Sequence, residues 1–362
     1  MLRLEELTGK EIGQYRMDEI CGEGGMGVVY KGFHLHLKLP VAIKFLREEY
    51  TEKDDVRIRF RREAKLQFQL QHPNLVRVID LFEFSGNLAM VMDWVEGGDL
   101  EDYMEKHQGP IVLQDIARIF LPVLDAVGYA HKHNVIHRDL KPSNILLKGK
   151  EGEEEPMVMD FGIAKSLLGK EDGLRTKTGV IIGTPVYLAP EQWHSTSSVD
   201  HRADIYALGI ILYQLLSGRL PFEQDSFQEY MFAHCSKDVP PMNQYVPNIP
   251  SKLEDLVQKT LAKKPEERWT SCEEFAEEFK RILIIPNIYD SLAEKPRLPT
   301  AFEPEIDDKK KKRAALAATL SFSQGEALEK ARQRLFLLTI AAGVVVIIGL
   351  VGWLVLSPQQ KH

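Results

Sequence analysis

The chain has 362 residues, enough for one large domain or two modest ones, with 53 acidic against 46 basic side chains and a net charge of −7. That balance excludes a general nucleic-acid binder, which carries a basic surface. The three cysteines, Cys21, Cys235 and Cys272, lie far apart without CxxC or zinc-type spacing, so a reduced compartment is the simplest reading.

The first residues, Met1-Leu2-Arg3-Leu4-Glu5-Glu6, have no apolar signal core, so export of the first domain by a cleavable signal is not expected. Next comes a strand, turn, strand pattern: residues 15–21, then Gly22-Glu23-Gly24-Gly25-Met26-Gly27, then residues 28–33. Glycines there let backbone N–H groups approach phosphate oxygens with no Cβ in the way. A GxGxxG run alone could equally be a dinucleotide fingerprint, but that reading requires a helix directly after it. Here Val28-Val29-Tyr30 continues as a strand, and a second strand, Val41-Ala42-Ile43-Lys44, follows.

A helical stretch over 57–70 carries Glu63 among Arg59, Arg61, Arg62 and Lys65, which on residue type alone is a solvated helix face. The most demanding motif is His137-Arg138-Asp139-Leu140-Lys141-Pro142-Ser143-Asn144, followed by Asp160-Phe161-Gly162. It supplies a carboxylate to accept a hydroxyl proton, a lysine for a phosphoryl oxygen and an amide oxygen for a metal. Asp160 adds a second metal-binding group. Those are the parts that phosphoryl transfer to an alcohol requires. Ala189-Pro190-Glu191 and an apolar helix over 205–216 come next.

In this order, over about residues 15–283, the motifs resemble those of the Hanks-type (eukaryotic-like) serine/threonine protein kinases, especially the bacterial membrane-anchored receptor-like ones. The resemblance implies an α+β, bilobal protein kinase fold, with a β-rich N-lobe and a helical C-lobe, and implies ATP and Mg²⁺ as cofactors. It implies Lys44 on the α- and β-phosphates, Glu63 as its partner, Asp139 orienting the substrate hydroxyl, and Lys141 of the serine/threonine type. Asn144 and Asp160 would hold the metal. Gly22, Gly24 and Gly27 would line the phosphates. Cys21, Val29, Ala42 and Leu146 would surround adenine, with Met92 as gatekeeper, Asp93 to Val95 as hinge and Asp99 on the ribose.

Two positions depart from the family pattern. Cys21 stands where an aliphatic side chain normally covers the base, and a thiol close to the phosphate-binding lysine is expected to be partly activated, or else an inert small hydrophobe. Gln67, four residues after Glu63, stands where an apolar spine member is expected, and a polar group there works against the active helix position. By the same resemblance Arg138 marks a kinase switched on by phosphorylation, with Thr176 and Thr178 as candidate sites and the Thr184 hydroxyl bonding Asp139 and Lys141. Glu191 is expected to pair with Arg268, and Asp204 to anchor the catalytic-loop backbone. The acidic run over 151–155 reads as a solvated hairpin loop.

Beyond residue 283 the composition changes. Residues 284–334 hold Pro296, Pro299 and Pro304, then Glu303, Glu305, Asp307 and Asp308 ahead of Lys309-Lys310-Lys311-Lys312-Arg313. This reads as a flexible juxtamembrane linker whose basic run is either a contact for anionic lipid or a solvated spacer; the alternative is a helix over 314–338 that continues into the membrane. Residues 335–356 are apolar and uncharged, about the 20 residues that span a bilayer. Arg332 and Arg334 precede the run, so the N-terminal side is expected in the cytoplasm, with residues 357–362 as a short outer tail.

The expected whole is a single-pass cell-membrane enzyme that transfers the ATP γ-phosphoryl group to serine or threonine hydroxyls of proteins, its own activation loop included, with dimerisation for phosphorylation in trans. A membrane-anchored pseudokinase scaffold would lack the Lys44, Asp139 or Asp160 equivalents. A small-metabolite phosphotransferase would have a shorter segment between Asp160 and Glu191.

Overall fold

Period-two burial along β4 (Leu39–Leu46) sets the architecture of the first lobe. Val41, Ile43 and Phe45 are buried on one face, while Ala42 and Lys44 lie on the other. A computed structural model describes residues 4–24, 27–47, 50, 54–161, 185–194, 199–285 and 288, all within one compact unit.

Strands β1 (Glu11–Ile12), β2 (Tyr15–Gly24), β3 (Gly27–His34), β4, β5 (Val78–Phe84) and β6 (Asn87–Asp93) form one antiparallel sheet in the order β1-β2-β3-β4-β6-β5. One face packs Tyr15, Met17, Val28, Tyr30, Val41, Ile43, Phe45, Ala89 and Val91 into a core. The Tyr30 hydroxyl donates to the Leu4 carbonyl at 2.6 Å, tying the N-terminal segment to that core. Helix α1 (Asp54–Gln69) buries Val56, Phe60 and Ala64 against Met90 and Met92 of β6. Its apolar positions recur at helical spacing, which is why a basic sequence still docks.

The strands flanking the glycine-rich turn run further than the sequence predicts. β2 continues through Gly22 to Gly24, with register shifts between Met17 and Glu19 and between Ile20 and Gly22. Cys21 falls in the second shift, an extra residue of the bulge kind.

The second lobe is helical: α2 (Leu100–His107), α3 (Leu113–Lys132), α4 (Pro190–His194), α5 (Arg202–Ser217), α6 (Phe227–Ser236), α7 (Ser251–Thr260) and α8 (Cys272–Leu283). α5 is apolar all round and buried along almost its whole length, as a central helix must be. Each of its buried Leu and Ile side chains contributes about 1.5–3 kcal/mol by leaving water. It stops at Gly218, φ 69°, where a Cβ would come within 2.7 Å of the Gly109 backbone. α8 lays Phe275 and Phe279 against Phe120 of α3, centroids 5.8 and 6.1 Å apart. The hairpin β7 (Ile145–Lys148) and β8 (Glu155–Val158) borders this lobe. It meets the first lobe where Val158 N donates to Asn74 O at 2.8 Å and Val76 N to Val158 O at 2.9 Å.

One reading is corrected here. The 151–155 run is not wholly solvated: Glu154 is buried, and its carboxylate meets Arg118 at 2.6 Å. A buried carboxylate without such a partner would carry a large desolvation cost. Among the described residues no helix is long and apolar enough to cross a membrane. The expected span over 335–356, the linker after residue 288, and Thr176, Thr178 and Thr184 lie outside the described residues.

Candidate active site

Sheet register brings four of the expected residues onto one face. Val29 pairs with Lys44, and Ala42 with Met92, on three adjacent strands. Gly27 has a different reason for being glycine than the phosphate contact expected of it. A Cβ there would strike the Phe45 carbonyl oxygen across the sheet, so close strand pairing alone requires it.

Lys44 reaches out of the sheet to Asp160, Nζ to Oδ1 2.8 Å, with both side chains about one-fifth exposed. The expected Lys44–Glu63 pair involves a side chain outside the described set. Asp160 has φ 58°, in the left-handed region that Asp tolerates better than most residues. Arg138, φ 64°, shares that conformation in the catalytic loop.

The catalytic-loop motif turns through a 3-10 helix at Pro142–Asn144, the proline fixing its first turn. Asn144 Nδ2 donates to the Asp139 carbonyl at 2.8 Å, and Asn144 O accepts from Met159 N at 3.0 Å. The loop carrying Asp139 and the strand leading to Asp160 are therefore stitched together at Asn144. His137 is fully buried. Its Nε2 meets the Met159 carbonyl at 2.8 Å, and its Nδ1 meets Asp139 N–H at 3.3 Å. A carbonyl on one nitrogen and an N–H on the other select the neutral Nε2–H tautomer. Burial holds its pKa below the usual imidazole value.

Behind the loop sits Asp204, in the first turn of α5. Its two oxygens accept from His137 N and Arg138 N, both at 2.7 Å, and from His131 at 2.8 Å. Burial alone would raise its pKa, but these hydrogen bonds outweigh burial and hold the carboxyl below its usual range. Arg268 grips Glu191 with two bonds of 2.7 and 2.8 Å, as expected. Sequence reasoning missed Gln192, whose Oε1 accepts from Ala189 N at 2.9 Å while Nε2 donates to Arg138 O at 3.1 Å. A glutamine beside a charged motif gives no signal of such a role.

On the expected nucleotide side, Met92 is buried, and Asp93 N is already bonded to Arg77 O at 3.0 Å. Asp99 N-caps α2, its Oδ1 accepting from Asp102 N at 2.9 Å, and forms an isolated antiparallel bridge with Leu146 of β7. Burial raises its pKa. Val95 is buried nearby in sequence, between exposed Glu96 and half-buried Trp94. Cys21 is exposed, with its Sγ 3.4 Å from the Val29 carbonyl, and partial desolvation of the sulfur raises the thiol pKa. Of its two readings this favours the inert small hydrophobe over the activated thiol.

The protein offers a metal two oxygen donors here. Asn144 commits its Nδ2 to Asp139, which leaves Oδ1 for a cation, and Asp160 supplies a carboxylate. Among the described residues no cluster of three or more His, Cys, Asp or Glu side chains could hold an ion by itself. Two hard oxygens, with phosphate and water completing the shell, suit Mg²⁺.

A curled antiparallel sheet over a helical lobe, with a sheet lysine clasping a carboxylate beside an asparagine-pinned loop, defines the bilobal kinase fold. The family model described as "Protein kinase domain" matches residues 15–280, and the chain belongs to the protein kinase family. It is 39% identical over 284 residues to serine/threonine-protein kinase pkn3 of Myxococcus xanthus, covering 77% of this chain and 52% of that protein. It is 35% identical to serine/threonine-protein kinase PrkC of Bacillus subtilis, covering 76% of this chain and 41% of that one. The chain thus spans about half the length, or less, of these curated relatives. The kinase domain of Mycobacterium tuberculosis PknI superposes with a TM-score of 0.58 at 29% identity, covering 75% of this chain and 98% of that domain.

Proposed function

We propose that this chain is an ATP-dependent serine/threonine protein kinase, held at a membrane by residues 335–356 with its kinase domain on the cytoplasmic side. The observation that carries the reading is the 2.8 Å Lys44–Asp160 ion pair, set against a catalytic loop that Asn144 ties to Asp139. In this reading Asp139 orients the serine or threonine hydroxyl and takes its proton as the oxygen bonds to the γ-phosphorus. Lys141 neutralises a γ-phosphoryl oxygen while the bond to the β-phosphate breaks and ADP leaves. Lys44, swinging from Asp160, holds the α- and β-phosphates. Mg²⁺, held by Asp160 and Asn144, would neutralise charge building on the phosphoryl oxygens.

The resemblance supports Thr176 and Thr178 as phosphorylation sites of the activation loop, a modification made by a second copy in trans. Its negative charge would face Arg138. The basic run at 309–313 supports contact with anionic lipid.

Phosphosite mapping by mass spectrometry after incubation with Mg·ATP tests this reading. Phosphate on serine or threonine, concentrated at Thr176 and Thr178, is the expected result. Absence of phosphate between Asp160 and Glu191 would remove the activation mechanism, and absence anywhere would remove the activity.

A further inference from the structure

Gln67 stands near the C-terminal end of α1, where an apolar side chain is expected, yet it is 6% exposed. Its Nε2 donates to the Phe161 carbonyl at 2.8 Å, a contact between residues 94 apart in the chain. We propose that Gln67 is a positioning residue, tying α1 to the Asp160-Phe161 backbone through its side-chain amide so that the helix and the metal-binding carboxylate move together. The proposal rests on the phosphotransfer reading of Asp160.

The surroundings of residues 159–161 make the argument. Met159 O is held by His137 of the catalytic loop at 2.8 Å. Asp160 is held through its side chain by Lys44 of β4 at 2.8 Å. The Phe161 ring packs on the His137 ring, centroids 4.7 Å apart. Gln67 then fixes the carbonyl that follows Asp160. Three elements therefore grip three consecutive residues, and the middle one sits at φ 58°. A non-glycine residue keeps such a conformation only where its surroundings over-determine it.

The chemistry of the contact differs from apolar packing. A hydrocarbon side chain slides over its neighbour at little cost for small shifts. An amide N–H either meets its acceptor or is left buried and unpaired, together with the carbonyl it abandoned. Displacing α1 or Phe161 alone therefore breaks a buried hydrogen bond, and displacing both together does not. The polar residue that looked like a defect in the helix position becomes the device that couples helix to metal site.

Two substitutions in the full-length chain test this. Gln67→Met keeps the volume and removes the donor. It should lower kcat about tenfold, equivalent to about 1.4 kcal/mol, within the cost of one buried unpaired group, while the KM for the protein substrate stays unchanged. Without nucleotide, backbone amide exchange over residues 157–161 should quicken.

Gln67→Glu supplies the test that a merely structural residue would not pass. At about pH 8 its carboxylate cannot donate, so it should behave like Gln67→Met. Burial raises a carboxyl pKa, and the protonated acid can donate its O–H to Phe161 O. The ratio of variant to wild-type activity should therefore rise as the pH falls towards about 6. Wild-type kcat and exchange in Gln67→Met, or a flat or falling ratio in Gln67→Glu, would overturn the coupling. Should wild type itself transfer no phosphate, the functional reading fails, and amide exchange alone then decides the coupling. Should Gln67→Met not fold, as read by thermal melting, the pH ratio of Gln67→Glu decides it.

Discussion

The Lys44 ammonium meets the Asp160 carboxylate at 2.8 Å, with each side chain 21% exposed. Each group occupies the place where the other's charge would otherwise be poorly solvated. The pair therefore stores a lysine and a carboxylate next to each other before phosphate and metal compete for them.

Removing the lysine should weaken the chemistry more than the fold. Lys44→Met should reduce kcat/KM by about 10²–10³-fold, the usual loss when one fixed charge-stabilising group is removed. Steady-state kinetics with a peptide substrate measures it, and circular dichroism should show the lobes intact.

Asp204 predicts a different pattern. Asp204→Asn can no longer accept from His137 N, Arg138 N and His131 together, because one of its two oxygens becomes an N–H donor. The expected loss is about 1–3 kcal/mol of stability for a buried group left unpaired, together with a lower kcat as Asp139 loses its backbone support. Urea unfolding and kinetics on the same preparation check both.

His234 predicts acid sensitivity. It is buried at 0% exposure, Nδ1 2.9 Å from the Tyr206 hydroxyl, and burial lowers its pKa from 6.5 to about 3. Between those values the unfolded chain takes up a proton that the folded chain does not, so its contribution is present above pH 6.5 and lost as the pH falls. The loss is about 1.4 kcal/mol per pH unit in that window. Urea unfolding at about pH 5.5 and about pH 4.5 should show a drop that is smaller by about this amount in His234→Gln.

Much of the site was legible because its parts are short motifs with fixed offsets. Lys44, Asp139, Asn144 and Asp160 each stand in a short motif, and the Lys44–Asp160 ion pair and the Asn144–Asp139 bond join them two by two. Asp204 and the Glu191–Arg268 pair were legible only through resemblance. What stayed hidden depends on contacts between distant segments. Gln67 looked misplaced because its acceptor, Phe161 O, lies on another element. Glu154 looked solvated because Arg118, which covers it, sits on α3. Cys21 stayed open between an activated and an inert thiol because neither the bulge nor the Val29 carbonyl beside its sulfur is visible in the local sequence.

Topology gives a fourth expectation. Truncation after Lys330 should release a soluble chain with unchanged activity, whereas the full chain should sediment with membranes. Membrane fractionation and protease accessibility in intact cells measure this. Kinase-domain cleavage from outside the cell would contradict the proposed orientation.

The most direct measurement is phosphoryl transfer from Mg·ATP to a serine- or threonine-containing peptide by wild type, Asp139→Asn and Asp160→Asn, each with melting temperature recorded. The account predicts turnover by wild type, and folded variants in which losing the hydroxyl-orienting or the metal-holding carboxylate abolishes it. A folded Asp139→Asn variant with near wild-type turnover would contradict it.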